Sequence, residues 1–234
     1  MHWFITISLL CTVVNANHFL GGFRRGLRIP HRTVQAETCS AADQQVTRMC
    51  LDSYFAGLSV DSSQTLPDYF QYLAKIDLIL ANYGLSGYDI FCNYEVGLES
   101  CLGALFSTPC MDPPAFEAMY NINEMEATEY ATSFKIEQYT CQNKQVLKDN
   151  FVCLRDTTES GKDEIVECSV KMAEEFPDAT DICVPISEDI GCLDNIYKAC
   201  GKDVQNFMCT SQLIAYQYDL GDECTGELPD CSAL

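Results

Sequence analysis

After residue 38, apolar residues recur at intervals of three and four along most of the chain, the spacing of helices that bury one face. Ser40-Ala-Ala-Asp43 reads as a capping box, and Val46, Met49, Cys50, Tyr54 and Leu58 behind it predict a first helix. Thr65-Leu-Pro-Asp68 opens a second, with Tyr69, Leu73, Ile76, Leu80 and Tyr83 on one face and Gly84 as its stop. A third is expected over 88–105, carrying Phe91, Tyr94, Leu98, Cys101 and Leu105, and Asp112-Pro113-Pro114 starts a short one reaching Tyr120. Residues 124–154 hold Phe134, Cys141, Leu147, Phe151 and Leu154, enough for one or two helices.

The second half continues in the same manner. Ile165, Cys168, Met172 and Phe176 predict a helix over 162–176 that Pro177 ends. Ser187 caps a run through Ile190, Leu193, Ile196, Tyr197 and Cys200, closed by Gly201, and Asp203 caps the last helix. Alternation of strand type is hard to find, so the expected fold is all-α: a disulfide-stapled array or bundle of about seven helices.

The cysteines change the picture most. Residues 3–14 form an apolar run too short for a bilayer, and Val14, Asn15 and Ala16 supply a signal-peptidase site, so residues 1–16 are expected to be a leader cleaved after Ala16. The competing reading is an apolar first helix or anchor. Export would make the remaining cysteines a disulfide framework: Cys39, Cys50, Cys92, Cys101, Cys110, Cys141, Cys153, Cys168, Cys183, Cys192, Cys200, Cys209, Cys224 and Cys231. Their number is even, and no Cys-x-x-Cys occurs, which argues against a zinc ribbon or a redox pair. Cys92 and Cys101, nine positions apart, point to opposite sides of one helix and need different partners. Cys39 and Cys50 would lie roughly 16 Å apart on a continuous helix, beyond the roughly 7 Å that a bridge spans.

Charge separates residues 17–37 from the rest. Arg24, Arg25, Arg28 and Arg32 face only Glu37 there, whereas ten basic residues face thirty-three acidic ones from Thr38 onward. The first segment reads as a basic flexible arm or, because Arg25-Gly-Leu-Arg28 has convertase spacing, as a propeptide removed at Arg28. The body, 38–234, reads as one acidic helical domain, or as two halves, 38–156 and 164–234, linked by the polar stretch 155–163. A duplication is suggested by aligning Cys92-x8-Cys101-x8-Cys110 with Cys192-x7-Cys200-x8-Cys209.

This acidity argues against nucleic acid as a partner and favours extracellular protein, matrix or a mineral surface. No EF-hand loop occurs, so any calcium binding is expected to be weak and distributed. No later segment has the apolar length of a membrane span, and oligomeric state is not legible. All three histidines, His2, His18 and His31, precede the body, which removes histidine-based nucleophile pairs and histidine-ligated metals from it. No catalytic residue, cofactor or metal ligand is expected. Carboxylate pairs of the glycosidase kind survive formally, and a hydrolase would need two acids sharing a cleft. Tyr69, Phe70, Tyr72, Tyr216 and Tyr218 are candidates for core or for an aromatic ligand pocket.

Cys39-x10-Cys50, Phe91-Cys92-x8-Cys101 and Tyr139-Thr-Cys141-x11-Cys153 resemble the secreted helical cysteine-rich domains widespread in invertebrates, nematodes especially, which have no assigned activity. The resemblance covers Thr38 to Asp156 and implies a helical disulfide fold with an extracellular, non-enzymatic role. It carries no functional residue over, and the cysteines from Cys168 to Cys231 depart from a single copy of the pattern. The expected function is a structural or interaction component of an extracellular matrix, including a biomineralised one. The alternative is a secreted effector, toxin-like ligand or small-molecule carrier.

Overall fold

The computed structural model describes residues 39–62, 66, 68–175, 179, 181–220, 224 and 226–231. The expected leader and basic arm, with Ala16 and Arg28, lie outside the described residues. Ten α-helices and no strand occur among those described. The all-α expectation holds, and the helix count rises from about seven to ten. By its internal contacts the chain divides into two units, which meet in sequence between Cys141 and Gln142.

The first unit contains α1 (Ala41–Gly57), α2 (Tyr69–Tyr83), α3 (Leu85–Leu102), α4 (Pro113–Tyr120) and α5 (Glu124–Gln142). Local chemistry explains the starts and stops. The Ser40 hydroxyl accepts from the amide of Asp43, 3.2 Å away, and caps α1. The Asp68 carboxylate accepts from the amide of Phe70 and caps α2. Gly84 separates α2 from α3 at φ 55°, a left-handed conformation that glycine adopts without strain. At Gly87 any Cβ would stand 2.9 Å from the Cα of Leu80, so glycine lets α3 turn tightly back along α2. Asp112 and Pro113 open α4 as expected, and Asn121 in the left-handed region ends it.

Aromatic rings fill the core of this unit. Phe55, fully buried, meets Tyr54, Tyr72, Tyr120, Tyr130 and Phe134 in edge-to-face contacts with centroids 5.6 to 6.4 Å apart. Tyr69 and Tyr72 are therefore core residues, packed on Tyr130.

The second unit contains α6 (Lys144–Asp149), α7 (Phe151–Ser160), α8 (Lys162–Glu175), α9 (Cys183–Tyr197) and α10 (Lys202–Leu220). Where one or two helices were expected over 124–154, three occur: α5, α6 and the start of α7. Asn143 and Asn150 break the run with non-helical backbone at φ −110° and −107°. The polar stretch 155–163 is helical apart from a turn at Gly161. Ser187 does not cap α9, because that helix already starts at Cys183, whose amide donates to the Asp181 carboxylate.

All fourteen body cysteines are bridged, three pairs in the first unit and four in the second. The first has Cys39–Cys110, Cys50–Cys101 and Cys92–Cys141. The second has Cys153–Cys200, Cys168–Cys192, Cys183–Cys224 and Cys209–Cys231. Cys92 and Cys101 leave α3 for different helices, α5 and α1, as their spacing requires. Cys39 and Cys50 have separate partners.

Candidate functional site

With histidine absent from the body, carboxylates are the groups whose placement most needs explaining. α5 is buried almost all round although its sequence is polar, with Thr128, Ser133, Glu137 and Thr140 inside. Glu137 has no solvent exposure. Its Oε1 accepts from the hydroxyls of Tyr72 at 2.6 Å and Ser133 at 2.7 Å, and its Oε2 accepts from Tyr54 at 2.9 Å. Tyr54 and Tyr72 lie 3.1 Å apart, hydroxyl to hydroxyl. Three helices thus converge on one carboxylate: α1 with Tyr54, α2 with Tyr72, and α5 itself.

A second buried acid lies near enough to feel its charge. Glu95 of α3 is 1% exposed, and neither of its carboxyl oxygens makes a hydrogen bond. Burial pushes its pKa well above the ordinary carboxylate value, and the charges of Glu137 and Glu99 push it further. Burial also raises the pKa of Glu137, while the hydroxyls of Tyr72, Ser133 and Tyr54 pull it back. Two carboxylates in a dry site do not both ionise. The hydroxyl donors favour charge on Glu137, whereas Glu95, which has none, favours its neutral form. Burial and the Glu137 charge hold the Tyr54 and Tyr72 hydroxyls protonated, so both remain donors.

The second unit buries an acid of its own. Asp189 of α9 is 2% exposed within a cluster that includes Cys183, Ile186, Ile190, Tyr216, Cys224 and Cys231. The Tyr216 hydroxyl donates to its Oδ2 at 2.9 Å, and its Oδ1 has no partner. Burial pushes the Asp189 pKa up to about 6 against the pull of that hydroxyl. One turn before Tyr216, the side-chain amide of Gln212 is 1% exposed and also without a hydrogen bond.

Two surface features complete the inventory. Asp181, Cys183 and Glu227 bring one ligand-type atom each within 4.8 Å of one another. The Cys183 sulfur is bridged to Cys224 and cannot act as a thiolate, and Asp181 already accepts from a backbone amide, so two exposed carboxylates remain. An open groove of about 380 Å³ lies along α8 and α9, lined by Glu164, Glu167, Cys168, Lys171, Cys192, Asn195 and Ile196. Its lysine is engaged with Glu188 at 2.6 Å and Glu175 at 3.8 Å.

Chemically, the buried acids can hold and release protons but do not meet the surface. The sequence reading missed Glu95, Glu137 and Asp189, and a signal for two of them was present. Glu95 interrupts the stripe Phe91, Cys92, Leu98, Leu102, and Asp189 interrupts Ile186, Ile190, Leu193. An acid on an apolar helical stripe marks a buried carboxylate. No helix among the described residues is long and apolar enough to cross a membrane. Neither a protein-family model, nor a curated protein, nor a solved structure matches this chain.

Proposed function

We propose that this is a secreted, non-enzymatic protein that serves as a durable structural or interaction component of an extracellular matrix. The observation that carries the reading is the bridging: all fourteen body cysteines are paired, which suits an oxidising compartment. Two further facts support it. Glu95 and Glu137, the buried acids of the first unit's core, do not meet the surface. The chain carries a net charge of −20, which suits basic proteins and cationic mineral faces as partners.

The test is retention. Protein secreted into culture medium is incubated with an insoluble extracellular-matrix fraction and with calcium carbonate and calcium phosphate particles at physiological salt. Retention that weakens as salt rises is expected. Recovery entirely in the wash from all three would refute the matrix role.

A further inference from the structure

The two units differ in bridge number, yet their bridges follow one plan. Counting the first unit's cysteines from one to six, the pairs are first with fifth, second with fourth, and third with sixth. Setting aside Cys209–Cys231, the second unit pairs Cys153, Cys168, Cys183, Cys192, Cys200 and Cys224 in the same order. Order alone is permissive once one bridge is set aside, so the weight rests on what carries the cysteines.

The third and fourth cysteines lie nine positions apart on one helix in each unit, Cys92 and Cys101 on α3, Cys183 and Cys192 on α9. The fifth follows in a 3-10 turn, Pro109–Met111 or Lys198–Cys200. The second sits on a helix packed against the third-and-fourth helix, α1 against α3 and α8 against α9. The sixth falls at or after the end of the unit's last long helix, Cys141 on α5 and Cys224 beyond α10.

Burial coincides at several positions when these cysteines are aligned, although Phe91 is buried where Ile182 is half-buried and Glu99 is half-buried where Ile190 is buried. On the helix of the second cysteine, Cys50, Leu51 and Tyr54 correspond to Cys168, Ser169 and Met172, and all six are buried. On the central helix, Glu95, Leu98 and Leu102 correspond to Ile186, Asp189 and Leu193, again all buried. This alignment moves the sequence-level match by one cysteine, since Cys92 pairs with Cys183 and not with Cys192. The position of Glu95 in one unit is Ile186 in the other, and the position of Asp189 is Leu98.

We propose that residues 39–141 and 142–234 are two copies of one six-cysteine helical module, and that each copy has exchanged a different aliphatic position of its central helix for a buried acid. Among the described residues the second copy shows no counterpart of α2, and it has gained the Cys209–Cys231 bridge. An aliphatic side chain at either acid position is compatible with this backbone, because the sister copy carries one there. The acids are additions to the module's core and not part of what holds it together.

The full-length secreted chain tests this with Glu95→Ile and Asp189→Leu, each importing the sister residue. Both variants are expected to be secreted with seven bridges and to melt at pH 7 at the parent's midpoint or several degrees above it. A fall in either midpoint, or loss of cooperative melting, would overturn the equivalence of the two helices. Non-reducing peptide maps of the parent add a second arm that does not depend on the variants. Cys153 joined to Cys200 and Cys168 joined to Cys192 supports the shared plan, and any other partner for these four refutes it.

Discussion

Replacing Glu95 with glutamine should flatten the pH dependence of the first unit's stability over the range where the parent's declines. Glu95 is 1% exposed and lies near enough to Glu137 to feel its charge, with no hydrogen bond to compensate for a charge of its own. In the folded state it therefore keeps a proton that the unfolded chain sheds above its ordinary pKa, about 4.3. A raised folded pKa means stability is fully present below about pH 4.3 and falls as pH rises toward the folded value. Each pH unit between the unfolded and the folded pKa costs about 1.4 kcal/mol. Glutamine matches the neutral acid in size and cannot ionise. The variant should match the parent near pH 4.5 and exceed it by a margin that widens as pH rises toward the folded pKa. Urea unfolding at pH 4.5, 5.5, 6.5 and 7.5 gives the comparison, read by far-ultraviolet circular dichroism and tyrosine fluorescence, since the one tryptophan, Trp3, lies outside the two units' described helices. Parallel profiles for variant and parent across the range would refute the protonated-glutamate reasoning.

Asp189→Asn should act likewise in the second unit. Its pKa of about 6 confines the parent's decline to the interval between about pH 4 and pH 6, worth about 2 to 3 kcal/mol, and carbon-detected NMR of the carboxyl group reads that pKa directly. Tyr72→Phe removes the 2.6 Å donor to Glu137 and should cost about 1.5 to 3 kcal/mol at pH 7 in urea unfolding. Removing the bridge that closes a separation of 51 residues, Cys50→Ala with Cys101→Ala, should cost about 4 kcal/mol, read by hydrogen exchange on peptides within 39–141.

Much of the first unit was legible because its helices announce their ends. Ser40, Asp112-Pro113 and Gly84 act where the sequence places them, since caps and left-handed glycines are local chemistry, while the second helix starts one step later than its Thr65-Leu-Pro-Asp68 box suggests, with Asp68 itself as the cap. Residues 124–154 were not legible for an equally physical reason. α5 is buried nearly all round while carrying Thr128, Ser133, Glu137 and Thr140 inward, so apolar periodicity carries little information there. Bridge partners were legible only as exclusions for Cys39, Cys50, Cys92 and Cys101, because helix geometry forbids some pairs without naming the right ones. The proposed repeat has a trace in the cysteine spacing, but Cys192 suits that spacing as well as Cys183 does, and the proposed register rests on pairing and burial.

The measurement that bears most directly on two bridged units is a peptide map of the protein expressed through a secretory host, digested at acid pH without reduction. The account predicts seven linked peptide pairs and no free thiol, with every link joining cysteines on the same side of the junction between Cys141 and Gln142. A link across that junction, or a body cysteine that reacts with a thiol reagent in the native protein, would contradict it.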